Sequence, residues 1–290
     1  MSRSYLFVPG DSERKLAKAA ESAADALILD LEDSVAAGER PKARRLVAEF
    51  LGEPVQPDCW VRINPLASDD AMADLEAVIG GAPHGVVLPK AGGAADIATL
   101  DAALDRLERS SGDGAGITRI LPIATEHPAA LFRLHEYAGA SSRLAGLTWG
   151  AEDLSASLGA SGNRDADGRW LPPYELARSL CLLGAAAAAV PAIDTVFTDI
   201  RNTRGLTEYA CCARRDGFSG MLAIHPAQID TINAAFTPTA DEIARARRIV
   251  DAFSAHPATG VMELDGEMID RPHLEQARRI LDVAARTGAA

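Results

Sequence analysis

The stretch Ala26-Leu-Ile-Leu-Asp30-Leu-Glu-Asp-Ser-Val35 is an apolar run that stops in three carboxylates, Asp30, Glu32 and Asp33. An apolar run of this length reads as a strand. Packing three acids at the tip of a buried strand is costly unless positive charge compensates them. The strand end therefore points to a cation, a cationic substrate or a proton relay. Working outward, short β-rich runs recur at 5–9, 26–31, 60–64, 85–89, 119–124, 144–149, 195–199 and 221–224. Between them lie stretches with apolar residues at three- and four-residue spacing, namely 12–22, 41–51, 94–109, 128–138, 174–189 and 206–215. Ser12 and Asp241 read as helix N-caps.

Eight βα units within residues 1–237 predict an α/β fold of (β/α)8 barrel type. The rival, an open doubly wound sheet, calls for a Gly-rich phosphate turn after its first strand. Here that turn is Val8-Pro-Gly-Asp-Ser12, which lacks the pattern. Beyond residue 237 the rhythm changes. Two helical stretches, 241–256 and 271–286, flank a small segment at 260–270, so 238–290 reads as a C-terminal helical appendage. The alanine run at 185–189 reads as tight helix packing.

The bulk numbers narrow the function. Of 290 residues, 48% are hydrophobic and the formal net charge is −12. Such an acidic chain is a poor partner for nucleic acid or an anionic membrane surface. The most apolar run, 180–190, is too short to span a bilayer and is stopped by Pro191. Ser2-Arg3-Ser4 leads straight into a strand rather than into a signal-peptide core. The four cysteines show no metal spacing, and vicinal Cys211 and Cys212 read as ordinary thiols. A reducing compartment, most simply the cytoplasm, is expected.

In a barrel the chemistry sits at the C-terminal ends of the strands. Those ends carry Asp30, Glu32 and Asp33, then Arg62 and Asn64, Lys90, Glu126 and His127, Glu152 and Asp153, Asp199 and His225. Each alone is an ordinary polar loop residue; together they mark an active face. Hard oxygen ligands dominate, with one histidine at the last strand and no cysteine, which favours Mg²⁺ or Mn²⁺ over zinc. Glu126 and Asp153 are single acids on neighbouring strands and suit direct ligation. Asp30, Glu32 and Asp33 would hold metal-bound water and position Arg62 or Lys42. The planar fork of Arg62 suits a substrate carboxylate. A metal with an arginine describes a site for a small α-keto or α-hydroxy acid.

Thr148-Trp149-Gly150-Ala151-Glu152-Asp153 reads either as an anion-binding turn, with Gly150, Ala151 and Glu152 turning amides to a carboxylate, or as a tight turn with an acid at the helix start. No GxSxG elbow occurs. Lys90 offers Schiff-base chemistry, but its surroundings are full of counter-charge rather than apolar. His225 reads equally as a structural group or as a base.

These residues carry a resemblance. The chain resembles the citrate lyase β-subunit-like branch of the HpcH/HpaI aldolase family, with its malyl-CoA and citramalyl-CoA lyases. The matching stretches are Arg3 to Gly10, Asp30 to Val35 with Lys42 and Arg44, Val61 to Asn64, Leu88 to Lys90, Gly150 to Leu154, and Gly220 through Gln228. Glu126-His127-Pro128 falls where the family commonly has Glu-Thr-Pro. The resemblance implies a Mg²⁺-dependent barrel lyase with Glu126 and Asp153 as metal ligands and Arg62 at the carboxylate. Leu264 to Pro272 resembles the lid of the family's CoA-ester lyases, in which an acid at the place of Asp270 is the acid/base on the acyl-CoA carbon, often over a neighbouring subunit's site. A homo-oligomer, trimer or hexamer, is thereby implied. Arg14, Lys15 and Lys18 on the first helix are candidate CoA phosphate contacts. The alternatives are a citrate lyase β subunit acting on an acyl-carrier thioester, a class II aldolase using a pyruvate- or oxaloacetate-type keto acid without CoA, and a non-catalytic scaffold.

Overall fold

The computed structural model describes residues 2–111, 116–257 and 259–289. It comprises two compact units, Met1–Asn233 and Ala234–Ala290. The first alternates strand and helix: β1 (Ser4–Pro9), α1 (Glu13–Ala20), β2 (Ala26–Asp30), α2 (Arg40–Leu51), β3 (Asp58–Arg62), α3 (Asp70–Val78), β4 (Gly85–Leu88) and α4 (Ala94–Ser111). It continues through β5 (Arg119–Pro122), α5 (Pro128–Leu131), β6 (Leu147–Thr148), α6 (Ala151–Leu158), α7 (Pro172–Ala187), β7 (Ala192–Asp194), α8 (Thr203–Asp216) and β8 (Gly220–Ala223). Helix α9 (Ile229–Phe236) spans the division.

The eight strands form one parallel sheet in the order β5-β4-β3-β2-β1-β8-β7-β6. Its ends meet through single parallel bridges, Ile120 with Leu144 and Ile123 with Thr148, and the Ala124 amide donates to the Thr148 carbonyl at 2.8 Å. The sheet is thus a nearly closed barrel, as the count of βα units predicts. All five residues of β2 are buried, which accounts for its continuous apolar run. Tyr5, Ile28, Trp60, Val87, Leu121 and Leu222 are among the side chains of a shared core cluster. At the mouth, β1 and β2 converge tightly. The Gly10 amide donates to the Asp30 carbonyl at 2.9 Å, and a Cβ on Gly10 would lie 2.8 Å from that oxygen. Only glycine lets the first turn pass so close to the acidic strand end.

The seventh strand departs from the sequence reading. Residues 195–199 carry the stronger β-forming composition, yet the ladder runs over Ala192–Asp194. Ala192 and Ile193 pair with Leu147 and Thr148, and Asp194 ends the strand as a buried carboxylate. Asp194 accepts hydrogen bonds from the Trp149 indole (2.7 Å), the Tyr209 hydroxyl (3.1 Å) and Arg178 (2.8 and 3.0 Å). Asp199, expected at the strand end, is exposed. Replacing Asp194 with alanine would leave the buried indole and the Nε and Nη2 of Arg178 without their acceptor, with Asp216 still paired to Nη1. A loss of about 3–5 kcal/mol is expected, measured by urea unfolding.

In the second unit, α10 (Ala240–Ala255) and α11 (Arg271–Thr287) pack with the hairpin of β9 (Val261–Leu264) and β10 (Glu267–Asp270). Its core contains Ala246, Ile249, Phe253, Ile269 and Ala277. The cap of α10 is Thr239, in a reciprocal capping box with Glu242, rather than Asp241. The short 260–270 segment is a two-stranded hairpin turning at Asp265 and Gly266, both at positive φ.

Candidate active site

At the C-terminal mouth of the barrel lies a cavity of about 420 Å³. Asp30, Asp33, Arg62, Glu126, Gly150, Ala151, Glu152 and Asp153 all line it, so eight of the residues singled out along the sequence converge. The other wall is apolar and includes Phe7, Ile123, Trp149, Val196 and Leu222.

The acids of the β2 end divide their work. Asp30 accepts from the amides of Glu32 (3.0 Å) and Ser34 (3.1 Å) and from Nε and Nη2 of Arg62, each at 2.7 Å. Both oxygens are therefore occupied, and Asp30 anchors Arg62 rather than holding water. Burial pushes the Asp30 carboxyl up, but the Arg62 fork outweighs it and holds the group below the usual carboxylate range. The two-pronged edge of Arg62 is spent on Asp30, not free for substrate as expected. What remains is Nη1, 3.1 Å from Glu32 and 3.6 Å from Asp33. Phe7 lies under this guanidinium, its ring centroid 4.7 Å from Cζ.

Lys90 links the acids to β5 and β6. Its ammonium bonds Glu32 and lies 3.3 Å from Asp153. Its backbone sits at φ +52, a left-handed conformation that costs a residue with a side chain about 1–2 kcal/mol. That turn aims the Lys90 amide at the Glu126 carboxylate, which accepts its hydrogen bond. Burial pulls the ammonium's pKa down, but Glu32, with Glu126 and Asp153 beyond, holds it above its ordinary value. A lysine held charged in this way is a poor amine nucleophile, which argues against Schiff-base chemistry.

Glu126 is 3% exposed. Burial, joined by the charges of Asp153 and Glu32, pushes its carboxyl up to about 8 against the opposing pull of the Lys90 amide. Glu32 is likewise raised, chiefly by burial. One of its oxygens is buried and lies near Arg62 without the alignment of a hydrogen bond. Gly150 is required beside Glu126, because a Cβ there would lie 2.9 Å from Cγ of Glu126. Its amide, expected to face a ligand, donates instead to Thr125 Oγ1 at 3.2 Å. Ala151, Glu152 and Asp153 open α6, whose N-cap residue Gly150 has no side chain to cap it, so the helix start that faces the cavity keeps its amide dipoles for an anion.

Other expectations fall elsewhere. Lys42 pairs with Glu39 at 3.4 Å on the surface of α2 and does not join the acid cluster. Arg14, Lys15 and Lys18 are exposed along α1. Asp270 belongs to the second unit, where it meets His273. His127 is the N-cap residue of α5 with an extended backbone and caps nothing with its ring. His225 acts structurally, its Nδ1 accepting from the Ala227 amide at 3.1 Å. Phe7 was not singled out from the sequence, although strand alternation places it on the same side of β1 as Tyr5 and Pro9.

Residues 3–226 match the HpcH/HpaI aldolase/citrate lyase family. The chain belongs to that family. This lyase is 38% identical over 290 residues to the citrate lyase subunit beta of Escherichia coli K12, covering 99% of this chain and 94% of the relative. It is 33% identical over 294 residues to the (3S)-malyl-CoA thioesterase of Cereibacter sphaeroides KD131, covering 99% and 96%. Protein CitE of Mycobacterium tuberculosis, crystallised with magnesium, acetoacetate and coenzyme A, superposes with a TM-score of 0.80 at 36% identity, covering 98% of each chain.

The lyase's own donor set fits a divalent cation. Among the described residues, no three His, Cys, Asp or Glu side chains form a self-sufficient metal cage. Mg²⁺ does not ask for one, since it takes one or two carboxylates and fills its other positions with water and substrate oxygens. Glu126 and Asp153 line one cavity, burial and like charge push the Glu126 carboxyl up, and Glu32 keeps an oxygen short of a donor. A cluster of carboxylates with this deficit of positive charge is stabilised by a dication.

Proposed function

We propose that this lyase cleaves, and in reverse forms, the carbon–carbon bond of a 3-hydroxyacyl-CoA thioester such as malyl-CoA or citramalyl-CoA, giving a keto acid and an acyl-CoA. The observation that carries this reading is the convergence of Glu126, Asp153 and Arg62 on one cavity. Glu126 and Asp153 hold Mg²⁺ (Mn²⁺ offers the same coordination), with Glu32 and Lys90 balancing charge behind them. When bound, the ion supplies charge stabilisation for an oxyanion developing on the keto-acid fragment. Nη1 of Arg62 and the opening turn of α6, Ala151 to Asp153, orient the substrate carboxylate. Asp30 fixes Arg62 for that task. A base takes the hydroxyl proton as the bond breaks, and Asp270 delivers a proton to the α-carbon of the departing thioester enolate. In the reverse direction Asp270 removes it. Arg14, Lys15 and Lys18 supply positive charge for the CoA phosphates, and the active form is a homo-oligomer. The M. tuberculosis relative, crystallised with magnesium, a keto acid and coenzyme A, supports this assignment.

The test is keto-acid release from malyl-, citramalyl-, methylmalyl- and citryl-CoA with Mg²⁺, set beside the corresponding free acids. Release from at least one thioester and none from free acid is expected. Equal turnover of free acid would make the protein a class II aldolase. Activity confined to an acyl-carrier thioester would make it a citrate lyase subunit.

A pH dependence follows. The metal-free Glu126 carboxyl, raised to about 8, is mostly protonated at pH 7 and must lose its proton to ligate. Mg²⁺ affinity is expected to rise with pH and to level off above about 8, with proton release on binding at pH 7. Calorimetry in buffers of different ionisation enthalpy measures that release, and Glu126→Gln should abolish it.

A further inference from the structure

We infer that His273 is a positioning residue for Asp270, its imidazole Nδ1 fixing the carboxylate for proton transfer. The inference rests on the reading of Asp270 as the acid/base. Asp270 is the N-cap residue of α11, with extended backbone at φ −137 and ψ −172. An N-cap aspartate ordinarily turns its carboxylate onto the amides at the second and third helical positions. Here the second is Pro272, which has no amide hydrogen to give. From the helix side this carboxylate faces only the His273 amide, in the geometry of a capping box with the His273 ring.

The imidazole of His273, one turn along the same face, takes up the slack. Nδ1 lies 2.5 Å from Asp270 Oδ1 and 3.2 Å from the Asp270 amide nitrogen. With its proton on Nδ1 the imidazole donates to Oδ1, and because that nitrogen has a single in-plane position it does not then also accept from the Asp270 amide. One oxygen of Asp270 is thereby tethered and the carboxylate's rotation is stopped. Both side chains stay partly exposed, 32% for Asp270 and 42% for His273, so the tether does not bury the group it holds. Fixing an acid/base within a fraction of an ångström of its working place is worth up to about 100-fold in rate.

The experiment compares His273→Asn, which keeps a donor near the Nδ1 position, with His273→Gln and His273→Ala, which do not. Asp270→Asn is run alongside. Cleavage of malyl-CoA and citramalyl-CoA is measured with saturating Mg²⁺, together with melting temperature. The glutamine and alanine variants are expected to lose about 10–100-fold in kcat with KM within 2-fold of the parent. Asparagine should restore kcat to within about 3-fold, and all should melt within about 4 °C of the parent. Full activity of Asp270→Asn would sink the reading of Asp270 itself. An inactive Asp270→Asn beside fully active His273→Ala and His273→Gln would overturn the inference alone. So would a loss carried by KM, or a loss that asparagine does not rescue.

Discussion

Replacing Asp153 with alanine is expected to lower kcat by about 10³-fold or more, and Mg²⁺ added up to millimolar concentrations should not restore it. Each tenfold corresponds to about 1.4 kcal/mol of transition-state stabilisation, so the expected loss is about 4 kcal/mol. Loss of an ion that neutralises a developing oxyanion is of this size. The same substitution removes a carboxylate 3.3 Å from the Lys90 ammonium, which keeps its bond to Glu32. Asp153 is one-third exposed, so its removal opens no large buried void and the fold should persist. Titration calorimetry with Mg²⁺ separates the two consequences. The heat of binding should vanish while the unfolding transition stays close to that of the parent.

Asp270→Asn is expected to be as severe by a different route. General acid–base groups contribute about 10²–10⁴-fold, and an amide cannot exchange the proton that the thioester carbon requires. Mg²⁺ binding should stay within about 3-fold, because Asp270 lies outside the unit that carries Glu126 and Asp153. Two inactive variants, one that binds the metal ion and one that does not, would divide the reaction into binding the keto acid and protonating the thioester fragment. Loss of metal binding in both would instead mean that Asp270 acts through the fold.

Much of the barrel was legible because its strands announce themselves. The uninterrupted run before Asp30 and the comparable runs before Arg62 and Lys90 are buried on both faces, and such strands need little tertiary context to be recognised. The seventh strand was misplaced because composition favours residues 195–199, whereas the ladder is fixed by the partners of Asp194. Arg178 and Tyr209, which hold that carboxylate, lie 16 and 15 residues away along the chain. The cap of α10 was misassigned for a smaller reason. Thr239 and Glu242 satisfy each other's backbone, and Asp241 is merely an acid in the first turn.

At the site, the convergence of acids was readable from where the strands end, but the pairing among them was not. Asp30 and Arg62 are 32 residues apart, and only the β2–β3 register, which sets them side by side, shows that the arginine's fork is already taken. Lys42, which its place in the sequence suggests for the same cluster, belongs to a helix surface. The left-handed turn at Lys90 is a conformational fact that no residue pattern encodes, and the contact between Asp270 and His273 follows only once α11 is known to begin at Arg271.

The central claim is carbon–carbon cleavage of a CoA thioester, and the chain's likeness to a malyl-CoA thioesterase sets the sharpest contrast. Both products should be quantified by mass spectrometry after incubation with malyl-CoA or citramalyl-CoA and Mg²⁺. A lyase yields one acyl-CoA for each keto acid and leaves the thioester bond intact. The expected result is that one-to-one yield, abolished by EDTA. Free CoA with the intact hydroxy diacid, and no keto acid, would contradict the account.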